Sequence, residues 1–384
     1  MGFKEVRLSE ICEIVMGQSP RSEFYNDSIG TPFLQGNRTF GHIYPTIDTY
    51  TTKVTKSADK GDLLMSVRAP VGELNLAPVD LCIGRGLCAI KPKINKYFVY
   101  YLLKQEIDNL ESQSTGTIFS SVNKTTLNNL KVKIPKDESS QDQIGDFLWS
   151  IDNKIQINNN IIANLEELSQ TLFKRWFVDF EFPDENGNPY KSSGGEMKKH
   201  ENESLPSDWV DKKLKNIINI SSGKRPKVKN DVKFGNMQYP IIGASKIMGY
   251  TDEYLYDEKI IVTGRVGTHG IVQKFNEEVW PSDNSFVITS DYFNFTENIL
   301  KNIDFKSLNR GSTQPLITQT DLKNLKIFVP EDMEIMKKFE NTFEENTNFI
   351  FNLNKENIHL RRLRDTLLPK LMSGEIELPE ELEV

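Results

Sequence analysis

Cysteine and histidine are scarce in this sequence, with 3 and 4 residues among 384. The cysteines (Cys12, Cys82 and Cys88) cannot build a disulfide framework, and the histidines are too scattered for an evident zinc site. Apolar runs are short, so no segment could span a bilayer. The N-terminus lacks the apolar region of a secretion signal. These absences predict a soluble, cytoplasmic protein with no membrane partner and no bound metal. The length of 384 residues predicts two to three domains.

Motifs for chemistry are also missing. An adenine methyltransferase needs an Asp/Asn-Pro-Pro-Tyr/Phe loop, and the nearest approach, Asn188-Pro189-Tyr190, has a single proline. Gly84-Arg85-Gly86 lacks the third glycine and the helix of a dinucleotide-binding motif, and no phosphate-binding P-loop occurs. The sequence therefore predicts a chain without catalytic residues and without a cofactor of its own.

Negative charge is confined to parts of the chain. The formal net charge is −7, but residues 1–140 hold 17 basic and 15 acidic residues and residues 208–330 hold 17 and 14. Residues 141–207 and 331–384 together hold 13 and 25. Two mildly basic segments thus alternate with two acidic ones, so the net charge alone does not exclude a polyanionic partner.

This alternation reflects an internal duplication. The segment 127–135 (Leu-Asn-Asn-Leu-Lys-Val-Lys-Ile-Pro) recurs at 322–330 (Leu-Lys-Asn-Leu-Lys-Ile-Phe-Val-Pro), with five of nine positions identical. Near the start of each copy, Gly17 and Pro20 match Gly223 and Pro226. Repeats of this kind indicate two related half-molecules, each a globular module followed by a long acidic helix.

Apolar residues at alternating spacings of four and three predict those helices and are typical of a coiled-coil seam. An ordinary core helix is the alternative interpretation of each stripe. The first seam runs Ile144, Leu148, Ile151, Ile155, Asn158, Ile162, Leu165, Ser169, Leu172, Trp176. The second seam runs Phe339, Phe343, Asn346, Ile350, Leu353, Asn357, Leu360, Arg364, Leu367, Leu371.

Two helices of a two-fold repeat that pair with each other are antiparallel. One register brings the polar seam residues together, with Asn158 opposite Asn357 and Ser169 opposite Asn346. Buried asparagine at a seam costs stability but fixes register, so Asn158, Asn346 and Asn357 are predicted register residues. The same register sets Arg364 against an apolar residue, and we expect its long stem to carry the charge to solvent.

The fold class predicted is α+β, with two pseudo-symmetric globular recognition domains separated by two long helices that form an antiparallel coiled coil. Short strand-like runs between Gly/Pro/Asn turns indicate small, largely antiparallel sheets. Glu181 to Asp208 has linker composition. The predicted boundaries are 1–140 for the first domain, 141–182 for the first helix, 183–208 for the linker, 209–330 for the second domain, 331–376 for the second helix and 377–384 for a tail.

Polar and basic loops occupy matching places in the two modules. Arginine, lysine and amide side chains on loops contact phosphates and base edges, although a solvated surface is the alternative for any one of them. The candidate DNA-binding residues are Gln18, Arg21, Arg38, Arg68, Asn123 and Lys124 in the first module and Lys224, Arg225, Lys227, Arg265, Gln314 and Gln319 in the second.

The sequence resembles the specificity subunits of type I restriction–modification systems. The resemblance covers essentially the whole chain, with one departure: the stretch after Pro135 is not proline-rich. It rests on the duplication together with the segments Val6 to Ile11, 127–135, Leu168 to Phe177, Lys191 to Met197, Leu205 to Trp209 and Leu367 to Ile376.

The resemblance implies that each module reads one half of a bipartite sequence in double-stranded DNA and that the helices set the distance between the halves. It implies two modification subunits as partners, which carry S-adenosylmethionine and methylate adenine N6. Motor–nuclease subunits with ATP and Mg²⁺ join where the system restricts. A self-contained DNA methyltransferase and a coiled-coil scaffold without a DNA role are the alternatives.

Overall fold

The computed structural model describes residues 2–113, 122–200, 203–266, 270–305, 307–308 and 316–379, apart from the side chains of 108–113 and 203. The chain divides into two compact units. The first unit comprises residues 1–160 and 355–384, and the second comprises residues 161–354. Each unit therefore holds one globular module and a part of each long helix. No helix in the described ranges is long and apolar enough to cross a membrane.

The first unit combines eleven described strands with three complete α-helices and a part of each long helix. The strands are β1 (Phe3–Arg7), β2 (Cys12–Met16), β3 (Tyr25–Asn26), β4 (Thr31–Leu34), β5 (Tyr50–Thr51), β6 (Ser57–Ala58), β7 (Leu63–Ser66), β8 (Leu74–Leu76), β9 (Leu81–Ile83), β10 (Leu87–Pro92) and β11 (Lys131–Pro135). The helices are α1 (Leu8–Ile11), α2 (Lys96–Gln113), α3 (Lys124–Asn128), the first part of α4 (Glu138–Phe177) and the last part of α7 (Glu334–Ser373).

Three sheets organise this unit. β1 pairs antiparallel with β11, a four-stranded antiparallel sheet has the order β2-β10-β7-β8, and a five-stranded sheet has the order β3-β5-β4-β9-β6. The buried positions of β7 and β10 are apolar apart from Ser66, because each strand lies between two neighbours and is covered on both faces. The helix α2 packs on this sheet through buried residues such as Phe98 and Tyr101.

The second unit repeats this plan. Its strands are β12 (Met197–His200), β13 (Glu203–Pro206), β14 (Trp209–Lys213), β15 (Asn219–Ser222), β16 (Tyr239–Ile242), β17 (Ile247–Thr251), β18 (Lys259–Gly264), β19 (Val272–Asn276), β20 (Trp280–Pro281), β21 (Ser285–Thr289) and β22 (Lys326–Pro330). Its helices are the rest of α4, α5 (Phe293–Asn302), α6 (Gln319–Lys323) and the first part of α7 (Glu334–Ser373).

Sheet topology confirms the duplication. β14 pairs with β22 as β1 pairs with β11, and the sheet β15-β21-β18-β19 has the order of β2-β10-β7-β8. A parallel contact between β16 and β20 matches the one between β4 and β9. The long helices α4 and α7 both have 40 residues. The predicted α+β class, with largely antiparallel sheets in each module, is therefore confirmed.

In the first unit, α4 runs antiparallel to the last part of α7. The Asn158 Nδ2 donates to the Asn357 Oδ1 at 2.9 Å, and both side chains are buried. The Asn357 Nδ2 donates in turn to the Asn159 Oδ1 at 3.0 Å, and the Asn158 Nδ2 lies 2.7 Å from the Glu356 Oε2. The pairing places the buried amides opposite each other, in the register that the sequence predicts.

Arg364 departs from the sequence prediction. Its side chain does not reach solvent but is buried, and its Nη1 binds the Oδ1 of the buried Asp152. The Tyr101 hydroxyl donates to the other carboxylate oxygen of Asp152 at 2.7 Å, and the His42 Nε2 lies 3.1 Å from Oδ1. The prediction was wrong because it weighed only seam positions, whereas Asp152 is the residue next to the seam.

In the second unit, the other halves of the two helices also lie antiparallel. The rings of Trp176 and Phe339 have centroids 5.7 Å apart, and Leu165 and Ile350 line one small cavity. Ser169 and Asn346 line this cavity as well. The Ser169 Oγ accepts a hydrogen bond at 3.0 Å from the buried Asn298 on α5, so the second polar seam position is tied to the globular module.

The segment predicted as a linker contains ordered structure. α4 begins at Glu138 and ends at Phe177, and β12 and β13 form an antiparallel hairpin inside the range 183–208. Leu205 is buried, and the Lys198 Nζ donates to the backbone carbonyls of Ser207 and Trp209 at 2.8 and 2.6 Å. The polar composition of this segment does not reveal the hairpin, because its lysine donates to backbone carbonyls, which every residue has whatever its side chain.

Candidate nucleic-acid interface

A glycine begins the first candidate loop of the first unit. The Gly17 amide donates to the Leu87 carbonyl at 2.9 Å, and the Gln18 amide donates to the Ile83 carbonyl at 2.9 Å. A Cβ at Gly17 would lie 2.2 Å from the Gly84 carbonyl oxygen. Only glycine permits this close approach, which fixes the start of the loop and leaves the Gln18 side chain exposed.

Gln35 joins this loop to the next one. Its Oε1 accepts hydrogen bonds from the Ser19 Oγ at 2.9 Å and from the Tyr25 hydroxyl at 3.2 Å. The Gly86 amide donates to the Gln35 carbonyl at 3.1 Å, and the Ser19 Oγ also accepts from the Arg85 amide at 3.1 Å. Three segments distant in sequence therefore meet at the end of β9.

Arg68 and Asn123 reach the same place through backbone pairing. The Val67 amide donates to the Gly86 carbonyl at 2.9 Å, and the Val122 amide donates to the Val67 carbonyl at 3.0 Å. Arg68 and Asn123 each follow one of these bonded residues directly. One ladder of backbone hydrogen bonds thus connects the segments that carry Gln18, Arg68, Asn123 and the neighbouring Lys124. All four side chains are exposed.

Intramolecular bonds already engage three predicted residues of this unit. The Asn123 Oδ1 accepts from the Thr126 amide at 2.9 Å and caps α3. The Arg38 Nη2 donates to both carboxylate oxygens of Asp48 at 2.9 and 2.7 Å, and its hydrogen bond lowers the pKa of Asp48. The Arg21 Nη1 lies 3.9 Å from the Glu23 Oε1. A ligand would meet Arg38 with its charge partly neutralised.

The second unit builds its loop in the same way. The Gly223 amide donates to the Ser285 carbonyl at 3.0 Å, and a Cβ there would lie 2.2 Å from the Ser282 carbonyl oxygen. The Lys224 carbonyl accepts from the Trp280 Nε1 at 2.7 Å. Lys224 is exposed, as are the two other basic residues predicted in this loop, Arg225 and Lys227.

The ladder of the first unit also recurs. The Arg265 amide donates to the Asn284 carbonyl and the Ile317 amide donates to the Arg265 carbonyl, both at 3.0 Å. Arg265 is half-buried, with its guanidinium carbon 6.0 Å from the centroid of the Phe286 ring. The Gln319 Nε2 donates to the Ser222 Oγ at 3.1 Å. Gln314 lies outside the described residues.

Sequence reasoning missed Arg85 and Gln35. Arg85 is exposed between two glycines that pack against Gln35, where a Cβ would lie 2.8 Å or less from the Gln35 backbone. Gly84-Arg85-Gly86 connects β9 to β10, so a strand and not a helix follows it. A basic residue held between two tightly packed glycines is nonetheless the signal that could have identified this position.

Metal-binding clusters and activated thiols are not found in the part of the chain that the structure describes. No group of three His, Cys, Asp or Glu side chains there could hold a metal ion. All three cysteines are buried and free, and burial raises the pKa of Cys12 and of Cys88 to about 12. Thiols of this kind are inert.

The chain belongs to the family of type I restriction modification DNA specificity domains. The model of this family matches residues 1–167 and, a second time, residues 206–354. The two matches fall on the two modules that the sheet topology relates, so family membership and internal repeat agree.

Individual relatives support the same assignment. The type I restriction enzyme MjaIX specificity subunit of Methanocaldococcus jannaschii is 25% identical, over 97% of this chain and 93% of that protein. The putative MjaX specificity subunit of the same organism is 41% identical, over 42% of this chain and 38% of that protein. The fold, though not the assignment, is also shared with the crystal structure of the type I restriction–modification S subunit from M. genitalium, which has a TM-score of 0.64 at 16% identity and covers 99% of this chain and 97% of that one.

Proposed function

We propose that this chain is the DNA sequence-specificity subunit of a type I restriction–modification complex, with one half-site of a bipartite target read by each module. The observation that carries the proposal is the recurrence of one loop constellation. In both units a glycine-led loop, the residues after a central sheet strand and the start of a short helix are joined by equivalent backbone hydrogen bonds. Arg265 is the bonded residue in the second unit, whereas Arg68 follows the bonded Val67 in the first. Exposed amide and basic side chains in such loops suit base and phosphate contacts.

The two constellations differ in side-chain chemistry while their backbones agree. Gln18 follows the leading glycine in the first unit and Lys224 follows it in the second. Amide side chains pair with adenine and lysine or arginine with guanine, so the two modules read different half-sites. The separation of the half-sites follows from helix length, since 40 residues at ~1.5 Å per residue extend ~60 Å, or ~18 base pairs.

Partner subunits supply the chemistry in this proposal. Two modification subunits bring S-adenosylmethionine and methylate adenine N6, and motor–nuclease subunits bring ATP and Mg²⁺ where the system restricts. The long helices offer surface for such docking. α4 carries six acidic and three basic residues, α7 carries six acidic and seven basic residues, and both helices expose single apolar residues. Examples are Leu168 and Phe349 in the second unit and Leu363 in the first. The chain itself acts as a non-catalytic, cytoplasmic subunit.

Module exchange tests the proposal. Residues 1–140 are replaced by the corresponding module of another specificity subunit, and the altered chain is expressed with its modification subunits. Single-molecule sequencing of the host DNA then locates N6-methylated adenines. We expect one half-site to change while the other half-site and the spacing stay the same. Exchange of residues 209–330 is the matched control and should change only the other half-site.

Three results would contradict the proposal. If both half-sites changed after one exchange, the modules would not read independently. If the purified chain alone bound S-adenosylmethionine in a calorimetric titration, a self-contained methyltransferase would be the better description. Absence of any methylated target with the partners present would favour a scaffold without a DNA role.

A further inference from the structure

Each module contains one segment, here called its arm, that differs between the two modules although it begins and ends at equivalent positions. We define the first arm as Gly17–Thr51 and the second arm as Gly223–Thr251. Both begin at the glycine that packs on a backbone carbonyl, and both end at a buried threonine. Pro32 pairs with Tyr50 in the first arm as Pro240 pairs with Tyr250 in the second. The two arms are therefore equivalent by strand register.

The arms carry different charge. The first arm has two arginines and three acidic residues, a net −1, whereas the second arm has six basic residues and one aspartate, a net +5. The arginines of the first arm both lie beside carboxylates, Arg21 near Glu23 and Arg38 on Asp48. In the second arm, the Lys229 Nζ lies 3.3 Å from the Asp231 Oδ1. All the basic side chains of this arm are exposed: Lys224, Arg225, Lys227, Lys229, Lys233 and Lys246.

The second arm forms a ribbon with two protruding turns. β16 and β17 are joined by a turn closed by the Gly243 amide and the Lys246 carbonyl at 2.9 Å. On the outer side of β17, Asn230 and Tyr250 exchange two backbone hydrogen bonds at 2.9 and 2.7 Å. The other turn is closed by the Met237 amide, which donates to the Phe234 carbonyl at 2.9 Å.

Both turns carry a basic residue next to exposed apolar ones. Phe234 follows Lys233 and is 76% exposed, and Ile247 and Met248 follow Lys246 and are 50% and 40% exposed. These exposed apolar side chains are available for contact with a partner. Because basic residues accompany them at both turns, charge complementarity favours a polyanion with apolar surface, which is what a DNA groove offers through its phosphates and thymine methyl groups.

We propose that the second arm is the main anchor of the chain on duplex DNA and that the two modules therefore hold the duplex unequally. Its basic residues bind phosphates on both sides of a groove, and Phe234, Ile247 and Met248 contact the groove between them. The first arm contributes base contacts with little net charge. This inference rests on the proposed function, since it assigns the division of labour between the two reading modules.

Salt titration of DNA binding tests the unequal anchoring. The probe is a fluorescent 40-base-pair duplex of mixed sequence, bound by the full chain alone and with its modification subunits at 50–200 mM salt. Counterion release gives a slope of about −0.9 per phosphate contact in a plot of log affinity against log salt. The arm variant is Arg225→Ala/Lys227→Ala/Lys246→Ala. It should lower the magnitude of the slope by ~2.7 and weaken binding by up to ~500-fold at 0.1 M salt.

The matched control removes the same charge from exposed lysines of the second unit outside the arm, on the turn after β14, on β22 and on α7. This control is Lys215→Ala/Lys326→Ala/Lys338→Ala. We expect its slope to stay within ~0.5 of the unmodified chain. The first-arm variant Arg21→Ala/Arg38→Ala should change the slope by less than ~1, because neighbouring carboxylates already hold both arginines.

The outcomes separate failure of this inference from failure of the proposed function. Equal slope changes in the arm variant and the control would overturn the inference, since positive charge outside the arm would then contribute as much to DNA binding as charge within it. An unchanged slope, together with loss of co-purification with the modification subunits in Phe234→Ala, would overturn it in favour of a protein-docking arm. No DNA binding by the unmodified chain even with its partners would instead refute the proposed function.

Discussion

Replacing Arg364 with leucine should destabilise the first unit by about 3–5 kcal/mol, because it leaves the buried carboxylate of Asp152 without its cation. Asp152 and Arg364 are 1% and 7% exposed. The carboxylate would keep the Tyr101 hydroxyl and the His42 imidazole, and neither replaces a permanent positive charge. Loss of one member of a buried ion pair costs more than loss of both, since the remaining charge stays desolvated.

The pH dependence follows from the pKa of Asp152. Burial raises this pKa, but the contact with His42, the charge of Arg364 and the Tyr101 hydrogen bond outweigh burial and lower it from 3.8 to about 2. This difference corresponds to ~2.5 kcal/mol of stability. Because the folded-state pKa lies below the unfolded one, the contribution is complete above pH ~4 and is lost as the pH falls towards 2. The Arg364→Leu penalty should therefore shrink over that range.

Hydrogen exchange by mass spectrometry, with urea denaturation at pH 7 and at pH 3, measures the effect. Peptides of the second unit provide an internal reference. Arg362→Leu is the matched control, since Arg362 is exposed on the same helix turn and should change stability by less than ~0.5 kcal/mol. Asp152→Asn in the Arg364→Leu chain should recover part of the loss. If Arg364→Leu is as stable as Arg362→Leu, or its penalty is equal at both pH values, the account of this ion pair is wrong.

Three further predictions concern the seam, the loops and the helix length. Cysteines at 158 and 357 should form a disulfide under mild oxidation, because the Asn158 and Asn357 side chains meet directly; crosslinking only at pairs one turn away would reject this register. Gly17→Ala should cost more than 2 kcal/mol and weaken DNA binding, whereas Gly36→Ala, with nothing within 4 Å of its added Cβ, should change neither unfolding nor binding detectably. Inserting seven residues in each long helix adds ~10 Å and should lengthen the methylated spacer by ~3 base pairs; an unchanged spacer would refute the helix-length argument.

The sequence predicted the parts of the fold that depend on periodicity and repetition. The duplicated segments 127–135 and 322–330 end in the equivalent strands β11 and β22, and the seam positions Ile155 and Phe339 are fully buried. Spacing suffices here because burial of a helix face depends on position along the helix. The antiparallel pairing of α4 with α7 was predicted from the two-fold repeat, and the two helices are antiparallel in both units.

The failure occurred where a side chain has a partner that spacing cannot reveal. Arg364 was expected in solvent because its charge is expensive to bury, and Asp152 offsets that cost from the residue beside the seam. Asn123 and Arg265 stay predicted DNA-binding residues, and each also has an intramolecular contact. The Asn123 Oδ1 caps α3, and Arg265 lies half-buried over an aromatic ring. Residue type is consistent with the prediction in all three cases, but it does not reveal such tertiary contacts.

The first unit is assembled from two stretches separated by residues 161–354. Its core includes Leu368 and Leu371 of α7 together with Leu8 and Leu148 from the early part of the chain. During synthesis, the early stretch must wait for those 194 intervening residues, which takes roughly 10–40 s at about 5–20 residues per second. The second unit, residues 161–354, can fold before the first unit is complete. Until then the ribosome-bound chain exposes the apolar surface of residues 1–160 that α7 later covers, and chaperones bind intermediates of this kind.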